Sequence, residues 1–458
     1  MAFDQSLPGQ PAPPEVAITE NLEAAVLHIN FRHRPLVNQT PRTQDAALEE
    51  AVGLAQAINL NVVYQQSFSL NKISPATLLG KGNVENVQQA VQALAIKLII
   101  IDGSLSPVQQ RNLEKAWKCK VIDRTGLILE IFGARARTSE GRLQVELAAL
   151  KHQRSRLVRS WTHLERQRGG FGFTGGPGET QIELDRRMID QRIIKLEKEL
   201  KNITKMRTLH RQARQRQSIP VIALVGYTNA GKSTLFNRLT QANVFAEDLL
   251  FATLDPTMRR CEILHPETKG KREVIFSDTV GFISNLPTQL IAAFRATLEE
   301  VCTADLILHV RDSAHPDAKA QAQDVEKILH ELGVIDRQPD NAPLIVEVYN
   351  KIDLLSDEER SILLNQVSRR PNAVAISARN GDGMETLLSW IYDRFQNKGT
   401  FEKTVVLNSD QGSILGWCYQ QGLVLERYDN NETGHTELKL SLTSHQFEYL
   451  KQSLRYTL

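Results

Sequence analysis

Cysteine is scarce in this chain. Cys119, Cys261, Cys302 and Cys418 are scattered and show no CxxC spacing, which argues against a zinc site and a disulfide framework and fits a reducing cytoplasm. No apolar run reaches the roughly 18 residues that a membrane-spanning helix needs. Met1–Glu15 has neither a basic n-region nor an apolar h-region, so it does not resemble a signal peptide and is expected to be a flexible, Pro-rich leader. The last residues, Arg455-Tyr456-Thr457-Leu458, hold no lipidation cysteine, so a membrane-signalling role fits poorly. An overall charge excess is nearly absent, at +2, and does not by itself name a partner. What remains is an ordinary globular composition, 41% hydrophobic and 24% charged, over 458 residues. At about 150 residues per domain that is about three domains.

The patterning separates four regions after the leader (1–15). In residues 16–134, β-rich runs (Ala24–Ile29, Leu98–Asp102, Val121–Asp123) alternate with helical ones (Gln44–Ala57, Val84–Ala95, Val108–Trp117), which predicts an α/β domain with a mainly parallel sheet. Residues 135–217 change character. Leu143, Leu147, Leu150, Leu157, Trp161 and Leu164 follow 4-3 spacing, with Arg154 in one skipped slot, and Ile189, Ile193, Leu196, Leu200 and Ile203 repeat it. Two such stripes predict an antiparallel helical hairpin. The break between them, Gly169 to Gly178, is too rich in glycine, with Pro177, to continue a helix. Residues 218–397 hold apolar strands at Pro220–Val225, Glu273–Ser277, Leu306–Val310, Leu344–Tyr349 and Ala373–Ile376, a second α/β sheet. Residues 398–458 predict a small α+β domain, with strands at Thr404–Leu407, Leu423–Arg427 and Glu437–Leu442 and a helix near Ser444 to Leu454. The fold class is therefore α/β and multidomain.

The chemistry lies in the third region. Gly226-Tyr227-Thr228-Asn229-Ala230-Gly231-Lys232-Ser233 matches GxxxxGK[ST] between an apolar strand and the helix that opens at Thr234, the context a phosphate-binding loop requires. Its backbone N–H groups would converge on phosphate at a helix N-terminus. Lys232 would neutralise the β and γ phosphates, and Ser233 would place its hydroxyl on Mg²⁺. Asp278-Thr279-Val280-Gly281 ends the next strand; Asp278 can hold Mg²⁺ through water, and Gly281 can offer its N–H to a γ-phosphate. Asn350-Lys351-Ile352-Asp353 follows another strand. A carboxylate there accepts two hydrogen bonds from the N1–H and N2–H₂ edge of guanine, a donor pair adenine lacks, so Asp353 is the expected base reader. Ser377-Ala378-Arg379 can supply a backbone N–H to guanine O6. Phe251-Ala252-Thr253-Leu254 lies between loop and Asp, and Thr253 is the expected γ-phosphate and Mg²⁺ sensor, with Thr257 second. Each fragment alone is common; together, in order and each after an apolar strand, they point to GTP and GDP.

Two positions bear on rate. Phe282 follows Gly281 where Ras-like enzymes carry the water-orienting Gln. A phenyl ring cannot orient water, so another group, backbone or a partner must, and no catalytic residue is assigned. Slow intrinsic hydrolysis stimulated by a partner is expected. Asn229 is a candidate ligand for a monovalent cation such as K⁺ beside the phosphates, with a loop-stabilising hydrogen bond as the other reading.

From Lys151 to Gln217 there are seventeen Lys/Arg against seven Asp/Glu. A basic stripe on a protruding hairpin tipped by Phe171 and Phe173 suits RNA, since cations neutralise phosphates and aromatics stack on splayed bases. A solvated charged face, with the two Phe packed on the stem, reads as well from these residues alone.

The combination resembles the HflX family of ribosome-associated GTPases. The resemblance rests on Leu79-Gly80-Lys81-Gly82, Asp123-Arg124-Thr125, Gly141-Arg142-Leu143-Gln144-Val145-Glu146-Leu147, Gly176-Pro177-Gly178-Glu179-Thr180-Gln181, Gly226–Ser233, Phe251–Thr257 and Asp278-Thr279-Val280-Gly281-Phe282. It implies a GTPase that binds the large ribosomal subunit with its hairpin tip near the peptidyl transferase centre; nothing in the sequence suggests an obligate dimer, and a cytoplasmic monomer is expected. It further implies splitting or rescue of stalled ribosomes under stress, with the subunit stimulating hydrolysis. A large-subunit assembly GTPase and a GTP-gated RNA-binding or remodelling protein are the alternatives.

Overall fold

The computed structural model describes residues 22–31, 43–136, 138–167, 177–216, 219–241, 251, 257–265, 270–284, 298, 300–335, 343–396, 400–408, 411–420, 423–430, 435–443, 447, 450 and 451. The chain divides into two compact units, one of residues 1–209, 221–259 and 276–381, the other of residues 210–220, 260–275 and 382–458.

The first unit opens with β1 (Glu23–Phe31), α1 (Gln44–Gln56), β2 (Asn61–Leu70), α2 (Lys81–Ala93), β3 (Leu98–Asp102), α3 (Pro107–Trp117), β4 (Lys120–Asp123) and α4 (Arg124–Arg135). The strands form a parallel sheet in the order β2-β1-β3-β4. Leu-Ile-Ile-Ile-Asp of β3 is buried throughout, as a strand covered on both faces must be. Strand alternation sends Ala24, Val26, Leu98 and Ile100 to one core with α1 and α4, and Ala25, Leu27, Ile99 and Ile101 to another with Val87, Leu113 and Trp117. Helix α3 starts where Ser106 and Gln109 form a capping box with Pro107 in the first turn.

Two elements here go beyond the sequence expectation. Strand β2 carries Gln65, Gln66 and Ser67 and shows no clean alternation; it is a strand because β1 pairs with it along its length. Helix α4 contains Gly126 and Gly133, which mask its period; the Asp123 carboxylate starts it by accepting the Gly126 N–H at 2.8 Å.

The hairpin follows as α5 (Ser139–Gln167) and α6 (Pro177–Arg216). Leu147, Ile193 and Leu196 are buried in its seam, with Leu143, Leu150, Ile189 and Leu200 packed around them. Arg154, in the skipped slot, reaches Asp190 of the facing helix at 2.9 Å, and Lys151–Glu197 and Arg192–Glu146 are further cross-helix pairs. Helix α6 begins at Pro177, so Pro177 and Gly178 belong to it rather than to the expected break; a first-turn proline sacrifices no intrahelical bond. Phe171 and Phe173 lie outside the described residues, as do the side chains of Leu157, Trp161 and Leu164.

The remaining α/β elements are β5 (Val221–Gly226), α7 (Lys232–Thr240), β6 (Thr257–Leu264), β7 (Lys271–Asp278), β8 (Leu306–Asp312), α8 (Ala318–Glu331), β9 (Leu344–Asn350), a 3₁₀ turn (Ile352–Leu354), α9 (Asp357–Ser368), β10 (Ala373–Ala375) and α10 (Met384–Gln396). The six strands are ordered β10-β9-β8-β5-β7-β6, and the pairs from β10 to β5 are parallel. Strand β6, which opens at Thr257, is a further element that the sequence reading does not contain. The loops after β5, β7, β9 and β10 carry the four nucleotide motifs, and carboxyl ends of parallel strands are where such sheets bind ligands.

In the second unit, β11 (Thr400–Leu407), α11 (Gly412–Gln420), β12 (Val424–Asn430) and β13 (His435–Thr443) build an antiparallel sheet in the order β11-β13-β12. Leu407, Ile414, Cys418, Leu438, Leu440, Leu442 and Leu450 form its core. Helix α11 was not expected; of the expected closing helix, Phe447, Leu450 and Lys451 are helical and the rest lies outside the described residues. Among the described residues no helix is long and apolar enough to cross a membrane.

Candidate guanine-nucleotide site

Strand β5 delivers Gly226 to a position no other residue can take. A Cβ there would run into the carbonyl oxygen of Val310, its register partner on β8. The loop then turns through Asn229 (φ 59°) and Gly231 (φ 90°), left-handed conformations that Asn and Gly tolerate best. Helix α7 follows at once, so the loop backbone faces the site at a helix N-terminus, where N–H groups lack intrahelical partners.

Lys232 is the buried cation of this loop. Its Nζ donates to the Tyr227 carbonyl at 2.9 Å, and burial pulls its pKa down to about 8 against the opposing charge of Asp278. An anion brought to this ammonium would restore its charge, as a phosphate-binding lysine requires. The Ser233 hydroxyl donates to Asp278 Oδ2 at 2.8 Å. A hydroxyl and a carboxylate meeting at the phosphate loop fit Mg²⁺, a hard cation that takes oxygen ligands. Thr228 Oγ1 is buried without a hydrogen-bond partner among the described residues, so the loop holds a polar atom that a phosphate oxygen can satisfy.

Asp278 and Thr279 are buried at the end of β7, and the Thr279 hydroxyl donates to the Leu224 carbonyl at 2.6 Å, which ties this segment to β5. Beyond it, Phe282 N–H donates to the Gly226 carbonyl at 3.1 Å and Thr228 N–H to the Phe282 carbonyl at 2.7 Å. This pairing lays Gly281 against the phosphate loop. A Cβ on Gly281 would stand 2.9 Å from Thr228 Cγ2 and 3.1 Å from Lys232 Nζ, so glycine is needed for the close approach. Val280 and the Phe282 ring are buried, and the ring fills the core rather than the site.

The base-side motifs meet through one side chain. Asn350 Nδ2 donates to the Ala230 carbonyl and its Oδ1 accepts the Ala378 N–H, both at 2.9 Å. The Ala378 N–H, expected to be offered to guanine O6, is thus engaged by the Asn350 side chain. Asp353 accepts a 2.6 Å hydrogen bond from the Ser377 hydroxyl, which in turn accepts the Asn380 N–H. Lys351, in a left-handed conformation (φ 63°), pairs with Asp312 at the end of β8 at 2.8 Å. Arg238 of α7 donates to the carbonyls of Ala378 and Arg379.

The structure therefore brings together Gly226 to Thr234, Asp278 to Gly281, Asn350, Lys351, Asp353 and Ser377 to Arg379. Phe251 is buried, while Ala252, Thr253 and Leu254 lie outside the described residues. Arg238 and Asp312 belong to the site's framework and were not read from the sequence. A lone Arg on a helix and a strand-end Asp carry no motif.

Four family models cover most of the chain. A "GTP-binding GTPase N-terminal" region matches residues 45–133 and a "GTP-binding GTPase Middle Region" residues 135–214. A "50S ribosome-binding GTPase" domain matches residues 221–351 and an "HflX C-terminal domain" residues 362–456. The chain is 49% identical to the GTPase HflX of Magnetococcus marinus over 84% of this chain and 86% of that one. It is 40% identical to the GTPase HflX of Escherichia coli K12 over 92% of this chain and 93% of that one. Among solved structures it is similar to a GTP-binding protein of Sulfolobus solfataricus in complex with GDP, at 25% identity and a TM-score of 0.42, covering 81% of this chain and 98% of that one. By these matches the chain is a GTP-binding GTPase and belongs to the HflX family.

Proposed function

We propose that this GTPase binds the large ribosomal subunit and couples GTP binding and hydrolysis to the splitting or rescue of stalled ribosomes under stress. The observation that carries the reading is the union of a guanine-nucleotide site with a basic hairpin, seventeen Lys/Arg against seven Asp/Glu between Lys151 and Gln217. Among the described residues, Lys151, Arg154 and Arg192 pair across the hairpin, and an excess of ten positive charges over this stretch suits phosphates. The matched domain's description as a 50S ribosome-binding GTPase supports the choice of partner.

In this reading the phosphate loop holds the β and γ phosphates, and Ser233, Asp278 and Thr253 hold Mg²⁺. Gly281 and Thr253 sense the γ-phosphate, Asp353 reads guanine, and Asn229 is a ligand for K⁺. Catalysis of phosphoryl transfer is mostly positioning and electrostatics. With Phe282 buried where a water-orienting Gln would stand, intrinsic hydrolysis is slow and the subunit supplies what is missing. The protein acts as a monomer in the cytoplasm.

The test is steady-state GTP hydrolysis with and without purified large subunits, beside Lys232→Ala. A rise of about tenfold or more, equal to about 1.4 kcal/mol off the barrier, supports the reading if the variant loses it. No rise counts against the ribosome as activator. Sedimentation of assembled ribosomes with the GTP-bound protein then separates splitting, which yields free subunits, from assembly, in which the protein rides on immature large subunits.

A further inference from the structure

A buried polar chain runs from the N-terminal sheet to the phosphate loop. His28 Nδ1 and Asp102 Oδ2 are 2.6 Å apart, and Asp102 Oδ1 accepts from Arg124 Nη1 at 2.5 Å. Arg124 Nη2 donates to Glu50 Oε1 at 2.5 Å and to the hydroxyl and carbonyl oxygens of Ser284 at 3.0 and 3.2 Å. Glu50 Oε1 also accepts from the Ser284 hydroxyl at 3.1 Å, and Glu50 Oε2 accepts from the Tyr227 hydroxyl at 2.5 Å. Finally, the Ser284 N–H donates to that same tyrosine oxygen at 2.8 Å. Ser284 thus has its N–H, carbonyl and hydroxyl all engaged, and one carboxylate joins it to the second residue of the phosphate loop.

The charges are committed to this arrangement. Burial works against the charge of Arg124, yet Asp102 and Glu50 outweigh it and raise its pKa further. Burial likewise opposes the Asp102 carboxylate, and Arg124 and His28 hold it below the usual range. Removing one partner of such a set leaves a buried charge uncompensated. The apolar surroundings reinforce the link. Ile283 is 1% exposed, and Phe251, two positions before Thr253 in the sequence, meets Phe132 of α4 edge-to-face at 4.8 Å. Helix α4, which begins with Arg124, therefore touches both Ser284 and Phe251.

We infer that Glu50 and Arg124 are positioning residues for GTP hydrolysis, holding the backbone of residues 280–284 in register with the phosphate loop through Ser284 and Tyr227. The physical reason lies in Phe282. Its ring is buried in the core, so no side chain at that slot orients water, and the backbone around it must be held still instead. A misplacement of about 1 Å is enough to matter for such geometry. GDP lacks the γ-phosphate that Gly281 is proposed to sense, so its binding should not depend on this segment.

The inference rests on GTP hydrolysis by this chain. The experiment uses the full-length protein and compares single-turnover hydrolysis, affinity for a fluorescent GDP and melting temperature. The variants are Tyr227→Phe, Ser284→Ala, Glu50→Gln and the double variant Glu50→Gln/Tyr227→Phe. Tyr227→Phe removes one oxygen and keeps the ring, so it carries the test should Glu50→Gln fail to fold. Each single variant is expected to slow hydrolysis about tenfold with GDP affinity within about twofold, because misplacement costs the reacting geometry and not the ground state. The double variant is expected to be no slower than the worse single, since both changes weaken the same Glu50–Tyr227 link. Unchanged rates in folded variants, faster rates, or rates that fall in step with GDP affinity each overturn the inference. A wild-type chain that does not hydrolyse GTP would remove the activity on which it rests as well.

Discussion

Asn350 Nδ2 lies 2.9 Å from the carbonyl oxygen of Ala230, a residue 120 positions earlier in the chain. The same side chain accepts the Ala378 N–H, so one buried amide ties the phosphate loop, the end of β9 and the turn after β10 into a single frame. A Cβ on Gly231 would collide with it, which couples the left-handed glycine to the asparagine.

Replacing Asn350 by Ala is therefore expected to weaken GDP and GTP alike. A buried donor and a buried acceptor are left unmade, at about 1–3 kcal/mol each. Titration with fluorescent nucleotides should show affinity down at least about tenfold. Equal affinities for wild type and variant would mean that the frame does not depend on this side chain.

Lys232 makes nucleotide affinity pH-dependent. Its pKa in the free protein is about 8 because burial disfavours the ammonium, whereas bound phosphate favours it. Below about pH 8 affinity should be flat; above it, binding must take up a proton and affinity should fall, by up to about tenfold per pH unit. Dissociation constants between pH 6.5 and 9.5, roughly, measure this, and Lys232→Met should bind weakly with no such slope.

His309 on β8 predicts acid sensitivity. Burial, aided by Arg311 and against the pull of Glu347, lowers its pKa to about 4, while the unfolded chain takes a proton near 6.5. Between those values the unfolded form binds more protons, so stability rises with pH and is lost as pH falls from 6.5 toward 4. The loss should be on the order of 1–3 kcal/mol, and His309→Gln should flatten it in thermal melts between neutral and acid pH. An unaltered pH profile in the variant would place the acid-sensitive group elsewhere.

Gly226→Ala should destabilise the fold by about 1–3 kcal/mol, since the new methyl group forces β5 away from β8 at the Val310 carbonyl. Chemical denaturation reads this directly. A variant as stable as wild type would show that the strands separate at no cost.

The phosphate loop was legible because it is local. A strand, a glycine-rich turn and a helix N-terminus lie within one short run, and the binding groups are the backbone of that run. The hairpin seam was legible for the same reason, since Leu143, Leu147 and Leu150 repeat at helical spacing. Helix α4 and strand β2 escaped because their signals are not periodic: glycines interrupt one, and polar residues on a strand at the edge of its sheet among the described residues blur the other.

The sequence by itself thus determined the chemistry, a guanine-nucleotide site whose motifs follow apolar strands, and the place of a basic hairpin before it. Only the tertiary structure decided what surrounds that site. Arg124 and Ser284 are 160 residues apart, and Glu50 and Tyr227 are 177 apart. No spacing rule links such residues, because their meeting depends on how α1, α4, the phosphate loop and the segment after Gly281 pack together. Hydrogen bonds within a loop are written in the order of its residues; those between distant segments exist only once burial has brought the segments together and made leaving them unpaired costly.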